Sequence, residues 1–75
     1  MGKAYVLIHT GSGSETDVMK GLKKINTVKE AHLVYGAYDI IARIEADTMA
    51  DLKDSISWKV RRLDGVRSTL TMIAI

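Results

Sequence analysis

The chain has 75 residues with no cysteine, proline or phenylalanine, and its 11 basic and 9 acidic side chains leave a formal net charge of +2. That length makes one small domain, which buries only roughly 60 % of its unfolded surface and is marginal alone. Disulfides and thiolate metal sites are excluded, and the two histidines, His9 and His32, lie far apart in sequence, so oligomerisation is the remaining stabilising device. An apolar content of 47 % excludes a disordered or collagen-like chain. No apolar run approaches the ~20 residues of a membrane span, and the N-terminus has no signal-peptide pattern. Lack of cysteine and of an export signal points to the cytoplasm. The small basic excess, dispersed among acidic residues, argues against direct nucleic-acid contact.

Residues 4–10, AYVLIHT, read as a first strand, β-branched and aromatic. GSGSE follows as a turn into a helix, with Ser12 and Glu15, or Ser14 and Asp17, placed as a capping pair. Val18, Leu22 and Ile25 recur at helical spacing, and Asn26-Thr27 ends that helix. Residues 28–35 make a second strand and 38–46 a third, joined as a hairpin through Gly36-Ala37. Thr48 and Asp51 cap a second helix that carries Leu52, Ile56, Val60 and Leu63 on one face. Asp64-Gly65 stops it, and residues 66–75 form the last strand.

The order β-α-β-β-α-β has an internal echo, KKINTVKEAHLV (23–34) against RRLDGVRSTLTM (61–72). Two such halves predict a ferredoxin-like α+β fold: a four-stranded antiparallel sheet with both helices on one face. The other face should then be polar. Instead Tyr5 and Leu7 oppose Ala4, Val6 and Ile8; Ile41 opposes Ile40, Ala42 and Ile44; and Leu70, Met72 and Ala74 oppose Ile73 and Ile75. An apolar sheet face left uncovered exceeds what monomers expose, which predicts a sheet-to-sheet homodimer. Trp58 lies off the helix-two stripe and serves either as a second contact surface or as a wrap for the domain edge.

No catalytic, metal or cofactor signature emerges. His9 and His32 sit inside strands, where neutral packing is the common fate. GSGSE lacks the lysine and the spacing of a phosphate loop. The carboxylates of Asp47, Asp51 and Asp54 fall at capping or solvated helix positions. More informative are Asp39 with the amides of Gly36 and Ala37, and Ser68, Thr69 and Thr71 on the last strand. Amides and hydroxyls suit a ligand carboxylate, and Asp39 suits an ammonium group. The same residues equally suit an Asx turn and ordinary strand propensity, and the residues alone leave both readings open.

VYGAYDIIARIEA, with its G-x-Y-D turn (Gly36, Tyr38, Asp39), and LDGVRSTLTMIAI (Leu63, Gly65, Val66, Thr69, Thr71) resemble the effector-binding RAM module of Lrp/AsnC (feast/famine) regulators across essentially the whole chain. The resemblance implies residues 1–75 as one RAM-like domain without a DNA-binding domain, as residue 1 leads directly into the first strand. It implies sheet-packed dimers, larger rings of the octamer or decamer type, and an amino-acid effector held between dimers. Gly36, Ala37, Tyr38, Asp39, Ser68, Thr69 and Thr71 would line that site, with full-length Lrp/AsnC regulators as possible partners. Ala37 departs from the acidic or polar residue common in the family, which bears on ligand identity. Two other classes stay in view: a ligand-free oligomerisation partner, and a small dimeric ferredoxin-like barrel enzyme. The last requires a deep pocket between helices and sheet containing His9 or His32.

Overall fold

The computed structural model describes residues 1–75. Strand β1 (Gly2–Thr10) leads into helix α1 (Glu15–Lys23), followed by the hairpin β2 (Val28–Leu33) and β3 (Ile40–Ala46). Helix α2 (Met49–Asp54) continues without a break into a π-helical segment, Ser55–Val60, and β4 (Val66–Ala74) closes the chain. The sheet order is β2-β3-β1-β4 with every pair antiparallel, so β1 and β3 are central and β2 and β4 are edges. This is the ferredoxin-like α+β arrangement expected from the element order.

The helices cover the face formed by the even-numbered residues of the central strands. Ala4, Val6 and Ile8 of β1 and Ile40, Ala42 and Ile44 of β3 are buried against Val18 and Leu22 of α1 and against Leu52, Ile56 and Val60 of the second helix. Each large aliphatic side chain so buried contributes roughly 1.5–3 kcal/mol. Only 14 of 75 residues are buried, however, and eleven of those form the core. So small a core agrees with a chain that stabilises itself further by association.

Boundaries differ from the sequence pattern where local chemistry competes. α1 ends at Lys23, and Ile25 reaches the core from the following turn. Thr48 caps α2 as expected, its hydroxyl accepting from the Asp51 amide at 3.1 Å. Neither capping pair forms at α1: Ser14 is the first boundary residue, but its side chain makes no capping bond. Ser14 instead packs against Gly65, where an added Cβ would lie 2.9 Å from Ser14 Cβ. The Gly11 amide donates to the Gly65 carbonyl at 2.9 Å in the same contact.

The β2–β3 connection is longer than a two-residue hairpin. Residues 34–39 are irregular, closed by the Val34 amide donating to the Asp39 carbonyl at 2.8 Å, with Gly36 at φ 155°. Leu33 at the end of β2 and Val34 and Tyr35 of the loop are exposed to solvent, Tyr35 completely.

Candidate functional site

Asp39 ends the 34–39 loop, where its amide donates to the Ile8 carbonyl at 2.9 Å and ties the loop to β1. Its carboxylate does not form an Asx turn with its own segment. Oδ2 accepts from the Thr10 amide at 2.8 Å and from the Thr10 hydroxyl at 3.3 Å, and it lies 3.2 Å from His9 Nδ1. All three contacts fall on one oxygen, which leaves Oδ1 without a hydrogen-bond partner in the chain. The Thr10 backbone bond, helped by the Thr10 hydroxyl and the nearby His9, holds the Asp39 carboxyl below the ordinary aspartate value of 3.8 against the opposing effect of desolvation. The β1–β4 register shifts between His9 and Thr10, and this irregularity frees the Thr10 amide for Asp39.

That shift has a consequence for acid stability. A carboxyl whose folded pKa is depressed stabilises the fold fully above its unfolded value, and the contribution fades as pH falls through the folded value. Acid unfolding of the protein should therefore show a step below about pH 4 that Asp39→Asn removes, read by circular dichroism across a pH series. An unchanged acid limb in the variant would mean that the Thr10 contacts do not matter to stability.

Both histidines contradict the expectation of neutral packing within strands. His9 and His32 lie on the sheet face opposite the helices, with side chains 48 % and 64 % exposed, each beside a carboxylate. Their position is a matter of parity: they occupy the strand positions that alternate with the buried ones. The barrel-enzyme reading required a histidine between helices and sheet, and neither is there. His9 and Thr10 are also site residues that the sequence reading missed. The sole hint was their place directly before the GSGSE turn.

Around this cluster the open face follows the strand registers. Tyr5 stands opposite Met72, Leu7 opposite Leu70 and Ile41, and His9 opposite Ser68. Tyr5, Leu70 and Met72 are all exposed. The β2 side of the face is ionic: Arg43 bridges Glu30, at 3.1 Å, and Glu45, and Glu30 also meets His32 at 3.4 Å. The Arg43 and His32 contacts draw the Glu30 carboxyl below its usual range. An apolar centre bordered by satisfied charges is the composition of an interface core and rim.

The predicted site residues separate into two groups. Gly36, Ala37, Tyr38 and Asp39 share the loop, and Ser68 joins Asp39 through His9. Thr69 and Thr71 point to the opposite side, since they pair with the buried Ile8 and Val6. There they line a cleft of about 370 Å³ together with Lys53, Ile56, Ser57, Arg61 and Ile73. A larger cleft of about 430 Å³ lies near Trp58, lined by Asp47, Asp51, Asp54, Lys29 and Lys59 among others, and holds none of the predicted residues. Trp58 is exposed and stacks under the Arg62 guanidinium at 4.3 Å.

Comparison with known proteins gives this geometry a family. A helix-turn-helix-type transcriptional regulator of Pyrococcus furiosus, PF0250, is 31 % identical over 74 residues, which are 95 % of this chain and 49 % of that protein. The chain thus spans about half the length of that regulator. A 60-residue stretch, 80 % of the chain, is 38 % identical to 13 % of a homocitrate synthase of Saccharolobus solfataricus. The crystal structure of FFRP-DM1 superposes over 100 % of both chains at 44 % identity with a TM-score of 0.95. No helix here is long and apolar enough to cross a membrane. The family model described as the Lrp/AsnC ligand-binding domain matches residues 3–75, and the chain belongs to that family of regulatory ligand-binding domains.

Proposed function

We propose that these 75 residues form a cytoplasmic amino-acid-sensing module that acts in the regulation of amino-acid metabolism. The observation that carries the reading is the Asp39 carboxylate. It is fixed through Oδ2 by another strand, which leaves Oδ1 as a free acceptor at the end of the loop that carries the exposed Gly36 and Ala37. An effector ammonium would meet Oδ1, and its carboxylate would meet the loop amides. Tyr38 would wall the apolar part. Ser68 would come from the same chain, and Thr69 and Thr71 from a neighbouring one, because within one chain Thr69 and Thr71 lie on the other side of the sheet from His9 and Ser68.

Assembly is integral to this reading. The apolar centre of the open face supports sheet-packed dimers. The exposed Leu33, Val34 and Tyr35 next to the site loop support a second contact between dimers, and so a closed ring. Regulation then follows from linkage: an effector bound across an interface favours the assembly that shapes its pocket best. Full-length regulators of the family are the natural protein partners.

A thermal-shift screen of the twenty amino acids tests the proposal. A true effector should raise Tm by about 4–8 °C for each kcal/mol of linkage, and Asp39→Asn, which keeps an acceptor for Thr10, should abolish the rise. No stabilisation at millimolar concentrations of any amino acid, with assembly intact, would leave a ligand-free oligomerisation partner as the better account.

A further inference from the structure

Lys53 lies on α2, Ser57 in its π-helical continuation and Arg61 just past it, at intervals of four residues, and the three form one stripe of a cleft wall. Facing that stripe are Thr69, Thr71 and Ile73, alternate residues of β4 on the helix side of the sheet. The two rows, with Ile56 between them, enclose the 370 Å³ cleft. Its wall has two cations and three hydroxyls but no carboxylate. Neither cation is engaged elsewhere, since the four ion pairs of the fold involve only His9, His32 and Arg43 with their acids.

Two features of the backbone show that this cleft is built and not left over. β4 reverses the pattern of the central strands, turning Leu70 and Met72 outward and presenting hydroxyls to the helix where β1 and β3 present Ile, Val and Ala. The helix is also widened at this point, with the Arg61 amide donating to the Ile56 carbonyl at 2.9 Å across five residues. Turns of that type recur at functional sites because they displace side chains from the regular stripe.

We infer that this cleft is an anion site and that the effector is an acidic amino acid, an inference that rests on the sensing reading above. The Arg61 fork can take a carboxylate through two parallel N–H bonds, with Lys53 as a second positive charge. Ser57, Thr69 and Thr71 supply O–H donors to the remaining oxygens, and Ile56 and Ile73 cover methylenes. The Asp39 carboxylate of a neighbouring chain takes the ammonium group. A neutral amide of the same shape leaves both cations without a counter-charge and is rejected on that account.

Titration calorimetry of the full chain with L-glutamate, L-glutamine and 2-oxoglutarate decides the matter. L-Glutamate should bind at least roughly tenfold tighter than L-glutamine, the ratio worth one charge-assisted contact. Arg61→Gln and Lys53→Gln, both at exposed positions, should bring the ratio close to one, and Lys24→Gln just past α1 should leave it unchanged. Equal binding of the two amino acids overturns the anion site while the sensing reading stands. So does a glutamate preference that survives both substitutions. Binding of 2-oxoglutarate that is lost in Arg61→Gln, with no amino acid bound, supports the anion cleft and overturns the ammonium role of Asp39. No heat from any of the three overturns the anion site, and the twenty-amino-acid screen then judges the sensing reading separately.

Discussion

Leu70→Asp is expected to convert the protein to a monomer without unfolding it. Leu70 is exposed in the single chain, where its side chain faces Leu7 across the β1–β4 register and no helix touches it. A carboxylate placed there costs the isolated domain little. In a sheet-packed dimer the same carboxylate is buried twice, once from each subunit, among Tyr5, Leu7, Ile41 and Met72. An unpaired buried charge costs several kcal/mol, so the dissociation constant should rise by roughly a thousandfold or more. Size-exclusion chromatography with light scattering, alongside circular dichroism, reads both halves of the expectation. A variant that keeps the parent's mass would show that the open face is not the interface.

Gly65→Val should have the largest effect on the fold itself. Gly65 has φ 97°, a conformation that a β-branched residue reaches only with strain. Space is short as well, since a Cβ would lie 2.9 Å from Ser14 Cβ and 3.1 Å from Val18 Cγ2. Ser14 Cβ is fixed to the backbone and Val18 is a stiff β-branched side chain, so the start of α1 must shift. Strain and displacement together should cost about 3–5 kcal/mol, a large share of the roughly 5–10 kcal/mol that holds a domain of this size. Gly13 provides the contrast: it has φ 80° but nothing within 4 Å, so Gly13→Ala should cost only about 1–2 kcal/mol. Urea unfolding of the two variants gives the comparison, and equal midpoints would mean that the contact with α1 carries no weight.

Element order, strand parity and the surplus of apolar residues were all legible in the chain. Val6 and Ile8 against Leu7, or Ile40 and Ala42 against Ile41, declare two faces by period alone, and the positions of Gly65 and Thr48 mark element ends. The G-x-Y-D turn was legible as a pattern, yet its chemistry was not. Whether Asp39 bonds within its own turn depends on what lies beside it, and Thr10 is 29 residues away.

The sequence by itself determined the fold class and the existence of an apolar face, because these follow from periodicities of two and 3.6 residues. Only the tertiary structure decided which groups meet. Sheet register brought His9 and Thr10 to Asp39 and turned Thr69 and Thr71 away from it toward Lys53 and Arg61. Registers and helix docking are set by the sum of many long-range contacts, and no local pattern encodes that sum.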